Sequence, residues 1–290
     1  MNPVFDVNPT FDVNPTFDVD PTGTAPATGR RGRRHHVGAE VAPLQVVILA
    51  AGLGSRLGRD LPKPLTPLAD GRTILGRQLD GLRAVLGNGV QVTLVVGFRG
   101  ESVMRAAPDV RFAWNHLYAS TNTSKSLLAG MRSTPSGGVL WLNGDVVFHP
   151  GILSRALPLL AAGQSFVCVD RAQVAEEEVK YTLDADGYVR ELSKTVVGGL
   201  GEAVGINFVS AADREVLEQR LDACDDQDYF ERGMETAALD GAIRFRPLDI
   251  SDLPAVEVDV ESDLRRANAR VVGEGAVVDV LTAGLTAHPA

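Results

Sequence analysis

Gln45-Val-Val-Ile-Leu-Ala-Ala-Gly-Leu-Gly-Ser-Arg-Leu57 is an apolar run that passes directly into a glycine-rich loop, and Leu61-Pro-Lys-Pro-Leu65 follows it. The apolar part, Gln45–Ala51, is typical of a strand buried on both faces. Downstream, Ile74–Leu86 carries apolar residues at helical spacing. The order strand, loop, helix predicts the opening unit of an α/β sheet.

The rest of the chain continues this alternation of strands and helices. Further strands are predicted at Gln91–Gly97, Gly138–Asp145 and Phe166–Asp170, and near Val204–Val209 and Ile243–Pro247. Helices are predicted at Ser124–Arg132, around Ala211–Leu221 and Tyr229–Leu239, and from about Ser262. Alternation of this kind predicts an α/β fold with a mixed, mostly parallel, Rossmann-like sheet flanked by helices.

A hairpin signal interrupts the alternation. Asp184-Ala-Asp-Gly187 joins two short β-type segments, Val179–Leu183 and Tyr188–Leu192. We expect this small β-hairpin insertion to form one wall of the pocket for a second substrate.

Composition narrows the class of protein. The 290 residues are 44% hydrophobic and 22% charged, enough to bury one full α/β core. A formal net charge of −9 argues against a protein that mainly neutralises nucleic-acid backbone. We expect no membrane span and no signal peptide, and the two cysteines, Cys168 and Cys224, predict free thiols. We expect a cytoplasmic protein.

Three regions are predicted along the chain: a disordered N-terminal arm with hexapeptide repeats (1–42), a single catalytic domain (43–272) and a loose C-terminal tail (273–290). Proline at every sixth position of the repeats opposes regular helix or sheet. The arm is interpreted as a dispensable tail. It could also dock a partner through Phe5, Phe11 and Phe17, or bind an anionic surface through its arginine cluster.

The glycine-rich loop predicts phosphate binding at the end of the first strand. Glycines there let backbone N–H groups face phosphate oxygens without interference from a Cβ. The spacing matches neither the dinucleotide fingerprint nor a Walker A loop. The residues expected to hold the nucleotide here are Leu49, Ala50, Ala51, Gly52, Gly54 and Ser55.

Two cations follow the loop. Arg56 and Lys63 can neutralise the charge that grows on a departing pyrophosphate, and the prolines beside Lys63 restrict where its side chain points. We assign both residues a catalytic role.

Carboxylates end two predicted strands. Asp145 closes Asn143-Gly-Asp145, and Asp259 closes Glu257-Val-Asp259. Because Mg²⁺ prefers a few carboxylate oxygens with phosphate and water, Asp145 and Asp259 are the predicted metal pair. Glu257 is expected to orient a ligand, and Asp263 to lie in the first turn of the last helix.

The loop with its two cations resembles the signature of the nucleotidyltransferases that make nucleoside-diphosphate sugars and alcohols. Only four residues separate Arg56-Leu57 from Pro62-Lys63, and the loop opens Ala-Ala-Gly. That short form is most similar to the phosphocholine, inositol-phosphate and phosphonate cytidylyltransferases. The resemblance extends from Val46 to Ala269.

The resemblance implies roles for further residues. It implies Mg²⁺ at Asp145 and Asp259, and additional nucleotide contacts at Gly97, Asn122, Ser126 and Gly144. Asn122 could alternatively cap the following helix. Lys194 is the expected catalytic ligand of the acceptor phosphate. Acceptor contacts are expected at Lys180, Glu202 and Glu231, although each could instead be solvated.

The implied reaction is Mg²⁺-dependent transfer of CMP from CTP to a small phosphorylated alcohol or phosphonate, with release of pyrophosphate. Phosphocholine is disfavoured because aromatics, which would cage its ammonium, are 6% of the chain. Alternatives are a sugar-1-phosphate uridylyl- or thymidylyltransferase, a catalytically silent nucleotide-binding regulator, and a scaffold acting through the repeat arm. No nucleic-acid partner and no membrane span is expected, and the oligomeric state is left open.

Overall fold

The computed structural model describes residues 44–171 and 178–271, apart from the side chain of Ser55. The predicted arm (1–42) and tail (273–290) lie outside the described residues. Strands of the described part are β1 Gln45–Ala50, β2 Gln91–Val96, β3 Arg111–Trp114, β4 Val139–Asn143, β5 Val146–Phe148, β6 Phe166–Asp170, β7 Lys180–Leu183, β8 Val189–Ser193, β9 Glu202–Val209, β10 Arg246–Asp249 and β11 Ala255–Glu257. Its α-helices are α1 Ile74–Leu86, α2 Gly100–Ala106, α3 Thr123–Arg132, α4 Gly151–Ala161, α5 Arg214–Ala223, α6 Phe230–Leu239 and α7 261–271.

One mixed sheet organises these elements, in the order β10-β6-β9-β4-β1-β2-β3. Pairing along it is parallel except on both sides of β9, which runs antiparallel to β4 and β6. The β7–β8 hairpin joins β9, with Lys180 opposite Glu202. The prediction of a mixed, mostly parallel sheet flanked by helices, with a hairpin insertion, is confirmed.

Alternation along β1 builds the two sides of the core. Val46, Ile48 and Ala50 pack with the layer of α1, α2 and α4, whereas Val47 and Leu49 pack with the layer of α3, α5 and α6. All five are at most 9% exposed. Because successive side chains of a strand point to opposite faces, a strand covered on both faces must be apolar throughout.

A two-stranded ribbon, which was not predicted, places Glu257 and Asp259 next to the main sheet. β5 pairs antiparallel with β11, so that Val146 lies opposite Glu257. Beneath the ribbon, Leu264 of α7 packs in a buried cluster with Val147 and Val258. The ribbon therefore places the residues that follow β11 beside the end of β4.

The strand predicted near Ile243–Pro247 begins three residues later than expected. Ile243 and Phe245 are buried, but they pack with α5 and α6 as loop residues, and the ladder with β6 begins at Arg246. The prediction was wrong at this boundary because the apolar residues Ile243 and Phe245 are buried without belonging to a strand. None of the described helices is long and apolar enough to cross a bilayer.

Candidate active site

A cavity of about 420 Å³ opens at the carboxyl ends of β1 and β4. Ligands of open α/β sheets bind at this edge. The predicted residues that line the cavity are Leu49, Ala50, Ala51, Gly52, Gly54, Arg56, Lys63, Asn122, Ser126, Gly144, Asp145 and Asp259. The structure therefore brings together the glycine-rich loop (residues 51–57), which we call the phosphate loop after its predicted role, both cations and both carboxylates.

Gly54 lets the phosphate loop and Lys63 pack against each other. Its φ is +61°, and a Cβ at this position would lie 2.8 Å from Cγ of Lys63. Pro62 precedes a single 3-10 turn, Lys63–Leu65, which Lys63 begins. The loop and this turn together direct the lysine side chain into the cavity. Ser55 begins another such turn, Ser55–Leu57.

Gly144 brings the backbone before Asp145 against the end of β1. Its N–H donates to the carbonyl oxygen of Leu49 at 3.0 Å, and a Cβ there would lie 2.5 Å from that oxygen. Only glycine allows this approach. The Asp145 carboxylate is consequently held next to the loop that follows β1.

Four charged groups meet on the cavity floor. The Lys63 ammonium donates to Oδ2 of Asp145 at 3.1 Å and also to Oδ1 of Asp259. Arg56 Nη1 lies 2.9 Å from Oδ2 of Asp259. Burial lowers the pKa of Lys63, but attraction to Asp145 and Asp259 outweighs burial and leaves that pKa above its usual value. Lys63 is thus a permanent cation between two carboxylates.

Glu257 adds a third carboxylate, although the sequence predicted only an orienting role. Asp145, Glu257 and Asp259 each offer one oxygen, and these three oxygens lie within 4.8 Å of one another. Burial, followed by repulsion from Asp145 and Asp259, holds the pKa of Glu257 well above its usual range. Burial likewise raises the pKa of Asp145 against the opposing effect of Lys63. A donor set of three clustered carboxylates fits a divalent cation that prefers oxygen ligands.

Backbone hydrogen bonds fix the two segments that carry the cluster. The N–H of Val258 donates to the carbonyl oxygen of Asp145 at 3.0 Å. Asp263, in the first turn of α7 as predicted, accepts from the N–H groups of Asp259 and Val260 at 3.1 and 2.9 Å. The carboxylates therefore project from a constrained backbone.

Asn122 both lines the cavity and caps α3. Its Oδ1 accepts from the N–H of Thr123 at 2.9 Å, and its Nδ2 donates to the carbonyl oxygen of Gln227 at 3.3 Å. Gln227, which was not predicted, donates in turn to the Ser120 carbonyl oxygen at 2.7 Å and lines the cavity. These bonds join two loops into one wall of the cavity. Ser126 on that wall accepts from Asn115 Nδ2 at 3.0 Å.

Gly97 lies behind the wall and does not line this cavity. A Cβ there would lie 2.6 Å from Cβ of Tyr118 and 2.8 Å from the carbonyl oxygen of Ala51. Gly97, which was predicted to contact the nucleotide, therefore contacts Tyr118 and Ala51, and its lack of a side chain lets the loop with Tyr118 pack on the loop after β1.

The predicted acceptor residues lie beyond the rim of the cavity. Lys194 Nζ sits 4.8 Å from the ring centroid of Tyr229, which lines the cavity. Lys180 Nζ donates to the Lys194 carbonyl oxygen at 3.3 Å. Glu202 lines an adjoining cavity of about 710 Å³ that shares Glu257 with the first. Burial, with repulsion from neighbouring carboxylates, raises the pKa of Glu202 to about 7.

Glu231 is a buried carboxyl group near Lys194. It is 8% exposed, and within the described part of the chain its Oε2 has no hydrogen-bond partner. Burial raises its pKa to about 7, against smaller opposing effects of its own backbone N–H and of Lys194. Because the folded pKa lies above the unfolded value of about 4.3, Glu231 should favour folding at low pH and lose that contribution as pH rises through 7.

The free energy of unfolding of Glu231→Gln, relative to that of the wild type, is therefore expected to be about 2 kcal/mol higher at pH 8 than at pH 5, because only the wild type must ionise a buried carboxyl group. Urea unfolding of both proteins at the two pH values measures this difference. Glu215→Gln, at an exposed position, is the control and should show no such change. An equal response of the two variants to pH would show that Glu231 is not a buried, near-neutral acid.

Comparison with known proteins identifies the family. Residues 46–231 match the MobA-like NTP transferase domain. A CMP-5'-(3-aminopropyl)phosphonate synthase of Streptomyces rubellomurinus is 33% identical over 254 residues, which cover 80% of this chain but 39% of that relative. The chain thus spans about two fifths of the relative's length.

Two solved structures share the fold. The CTP:phosphocholine cytidylyltransferase of Streptococcus pneumoniae gives a TM-score of 0.62 at 17% identity, covering 79% of this chain and 99% of that one. The inositol-1-phosphate CTP transferase of T. maritima gives 0.62 at 18%, covering 77% and 91%. Together with the family match over 46–231, the observed fold shows that the chain belongs to the MobA-like NTP transferase domain family.

Proposed function

We propose that this domain transfers CMP from CTP to the phosphonate or phosphate oxygen of a small acceptor, with Mg²⁺ bound at Asp145, Glu257 and Asp259. The observation that carries the proposal is the convergence of the phosphate loop, Lys63 and three carboxylates in one cavity. Binding of a triphosphate needs the loop and the cation. A divalent cation that accompanies the triphosphate would be held by the three clustered carboxylates, which supply the oxygen ligands it prefers.

The chemistry is an in-line displacement at the α-phosphorus. An acceptor oxygen forms a new P–O bond to this atom, the bond to the bridging oxygen of pyrophosphate breaks, and pyrophosphate leaves with the electron pair. A phosphonate or phosphate oxygen is already ionised at neutral pH, so no general base is required. Positioning and charge neutralisation therefore supply the rate enhancement.

Each element of the cavity has a part in this step. Backbone N–H groups around Gly52 and Gly54 would hold the triphosphate, and Arg56 and Lys63 would neutralise charge on the departing pyrophosphate. Bound Mg²⁺ would supply Lewis-acid stabilisation of the phosphate oxygens. The wall built around Asn122 would receive the cytidine.

An aminoalkyl phosphonate is the acceptor class we favour. The product named for the Streptomyces relative carries CMP on an aminopropyl phosphonate. No aromatic cage for a quaternary ammonium is evident in the described part of the chain: Trp141 is fully buried, and a lysine already occupies a face of Tyr229. Lys194 would bind the acceptor's phosphonate, with Glu202 and Glu231 near its other end.

A panel of four nucleotides tests the nucleotide specificity. We expect CTP with Mg²⁺ and 3-aminopropylphosphonate to release pyrophosphate faster than UTP, dTTP or ATP under the same conditions. 3-Aminopropanol, which has the amine but no phosphonate, is the matched control and should give none. Preference for UTP or dTTP with a sugar 1-phosphate would instead establish the sugar-nucleotide alternative. No release with any pair would leave a silent nucleotide-binding protein.

A further inference from the structure

Gln78 is a buried amide on the helix behind the active site. It is 2% exposed and lies on the apolar face of α1, beside Leu75, Leu79 and Leu82, which belong to the core. Its Nε2 donates to two backbone carbonyl oxygens, of Asn143 at 2.9 Å and of Val146 at 2.8 Å. A polar residue in this position is expensive to bury unless such bonds are made.

The two carbonyl groups that Gln78 contacts flank Asp145. Asn143 is the last residue of β4, and Val146 is the first of β5. One side chain thus bridges the two ends of the Asn143–Val146 turn from which the Asp145 carboxylate projects. The bridge holds this turn from the side of α1, and Gln78 itself does not line the cavity.

The bond from Gln78 to Val146 also supports the segment that carries Glu257. Val146 lies opposite Glu257 in the β5–β11 ribbon, and the Val258 N–H donates to the carbonyl oxygen of Asp145. Displacement of the turn would therefore move Asp145 and, through the ribbon, Glu257. A single amide supports the relative placement of carboxylates from parts of the chain more than 100 residues apart.

We propose that Gln78 is a positioning residue that sets the geometry of the metal-binding carboxylates and thereby their affinity for a divalent cation. This inference rests on the proposed function, since it gives the cluster a metal to bind. Without the amide, the Asn143 and Val146 carbonyl groups lose a buried donor. The turn can recover hydrogen bonds only by shifting, and a shift moves the carboxylates apart.

The test compares Gln78→Met with a matched control, Gln164→Met. Gln164 also donates from Nε2 to two backbone carbonyl oxygens, of Ser165 at 3.1 Å and Arg244 at 3.0 Å. It precedes β6, which runs parallel to β4, and therefore lies at the opposite end of the sheet. Each variant loses one amide with two such bonds. Titration with Mn²⁺ alone, followed by electron paramagnetic resonance, measures cation affinity; urea unfolding in EDTA measures stability.

We expect Gln78→Met to bind Mn²⁺ about tenfold more weakly, in line with other changes behind metal ligands, and Gln164→Met to bind it as the wild type does. The Mg²⁺ concentration for half-maximal pyrophosphate release should rise for Gln78→Met alone. Equal Mn²⁺ affinity of Gln78→Met and wild type would overturn the proposal. An equal loss of Mn²⁺ affinity in Gln78→Met and Gln164→Met would also overturn it, because such a loss would result from reduced stability and not from the position of Gln78.

Gln78→Asn shortens the side chain by one methylene and replaces Gln78→Met in the test if the methionine variant does not fold. We expect its Mn²⁺ affinity to fall as well. An unchanged affinity would again overturn the proposal. A wild-type protein that neither binds Mn²⁺ nor releases pyrophosphate would instead refute the proposed function. A wild type that does both, beside an unchanged Gln78→Met, would refute only the positioning role.

Discussion

Lys63→Met is expected to lower turnover by about 10²–10³-fold, the typical loss when one group that stabilises transition-state charge is removed. In the free protein the lysine ammonium lies between Asp145 and Asp259. During the reaction it would turn to the phosphates of the leaving group. Methionine keeps most of the side chain's volume and removes the charge together with the N–H donors of the ammonium.

The same substitution should strengthen cation binding in the absence of nucleotide. With the ammonium gone, Asp145 loses that cationic partner and Asp259 is left with Arg56, and weakening the pairing of partly buried charges destabilises the fold. Mn²⁺ would replace the missing cation. Lys63→Met should therefore bind Mn²⁺ more tightly than wild type and gain more thermal stability from Mg²⁺.

Lys125→Met is the matched control for both measurements. Lys125 Nζ donates to the backbone carbonyl oxygens of Asp222 and Cys224, at the end of α5, and does not line the cavity. We expect near-wild-type turnover and unchanged Mn²⁺ affinity. If the two lysine variants lose turnover equally, Lys63 has no special part in catalysis.

Asp145→Asn should have the second large effect. Asparagine keeps the shape of the side chain but removes a charged ligand of the proposed metal, so we expect turnover to fall by about 10²–10³-fold. The Mg²⁺ concentration needed for half-maximal rate should also rise. The fold should persist, because Lys63 retains Asp259 as a partner and Gly144 retains its bond to Leu49.

Asp213→Asn is the control for this prediction. Asp213 is half-buried and accepts from the Ser165 hydroxyl at 2.5 Å, next to the amino end of β6 and outside the cavity. Pyrophosphate release at several Mg²⁺ concentrations compares the two variants. A Mg²⁺ requirement in Asp145→Asn equal to that of wild type would exclude Asp145 as a metal ligand.

Local patterns predicted the elements whose residues follow one clear period. Helix α1 runs from Ile74 to Leu86 as predicted, because an apolar stripe is bounded by Thr73, which accepts from the Gly76 N–H, and by Gly87 at φ +85°. Strand β6 is also as predicted. Periodicity and capping are properties of neighbouring residues, so the sequence shows them directly.

Short or proline-containing elements were not predicted. β3 is a four-residue edge strand whose burial alternates imperfectly, and α4 contains Pro158. The strand that carries Glu257 was predicted, but β5 and the pairing of β5 with β11 were not, because a three-residue strand carries no usable period and its partner lies more than 100 positions away. For these elements tertiary pairing decides the structure, and no local signal announces it.

The residues of the candidate site likewise fall into two groups, those that a local motif predicts and those that only tertiary pairing places. The loop, Arg56, Lys63 and the two aspartates could be predicted because each belongs to a recognisable motif at a strand end. Glu257 as a full member of the cluster could not, because the ribbon places it there. Gln78 did carry a signal, a polar residue within an apolar helical stripe, but its partners lie 65 and 68 residues away.

Mass spectrometry of the product tests the central proposal most directly. The protein is incubated with CTP, Mg²⁺ and 3-aminopropylphosphonate, with EDTA in a parallel sample. We predict a species with the mass of the phosphonate plus CMP minus water, formed together with pyrophosphate and absent from the EDTA sample. Formation of a sugar nucleotide from a sugar 1-phosphate, with no CMP adduct of any phosphonate or phosphate acceptor, would contradict it.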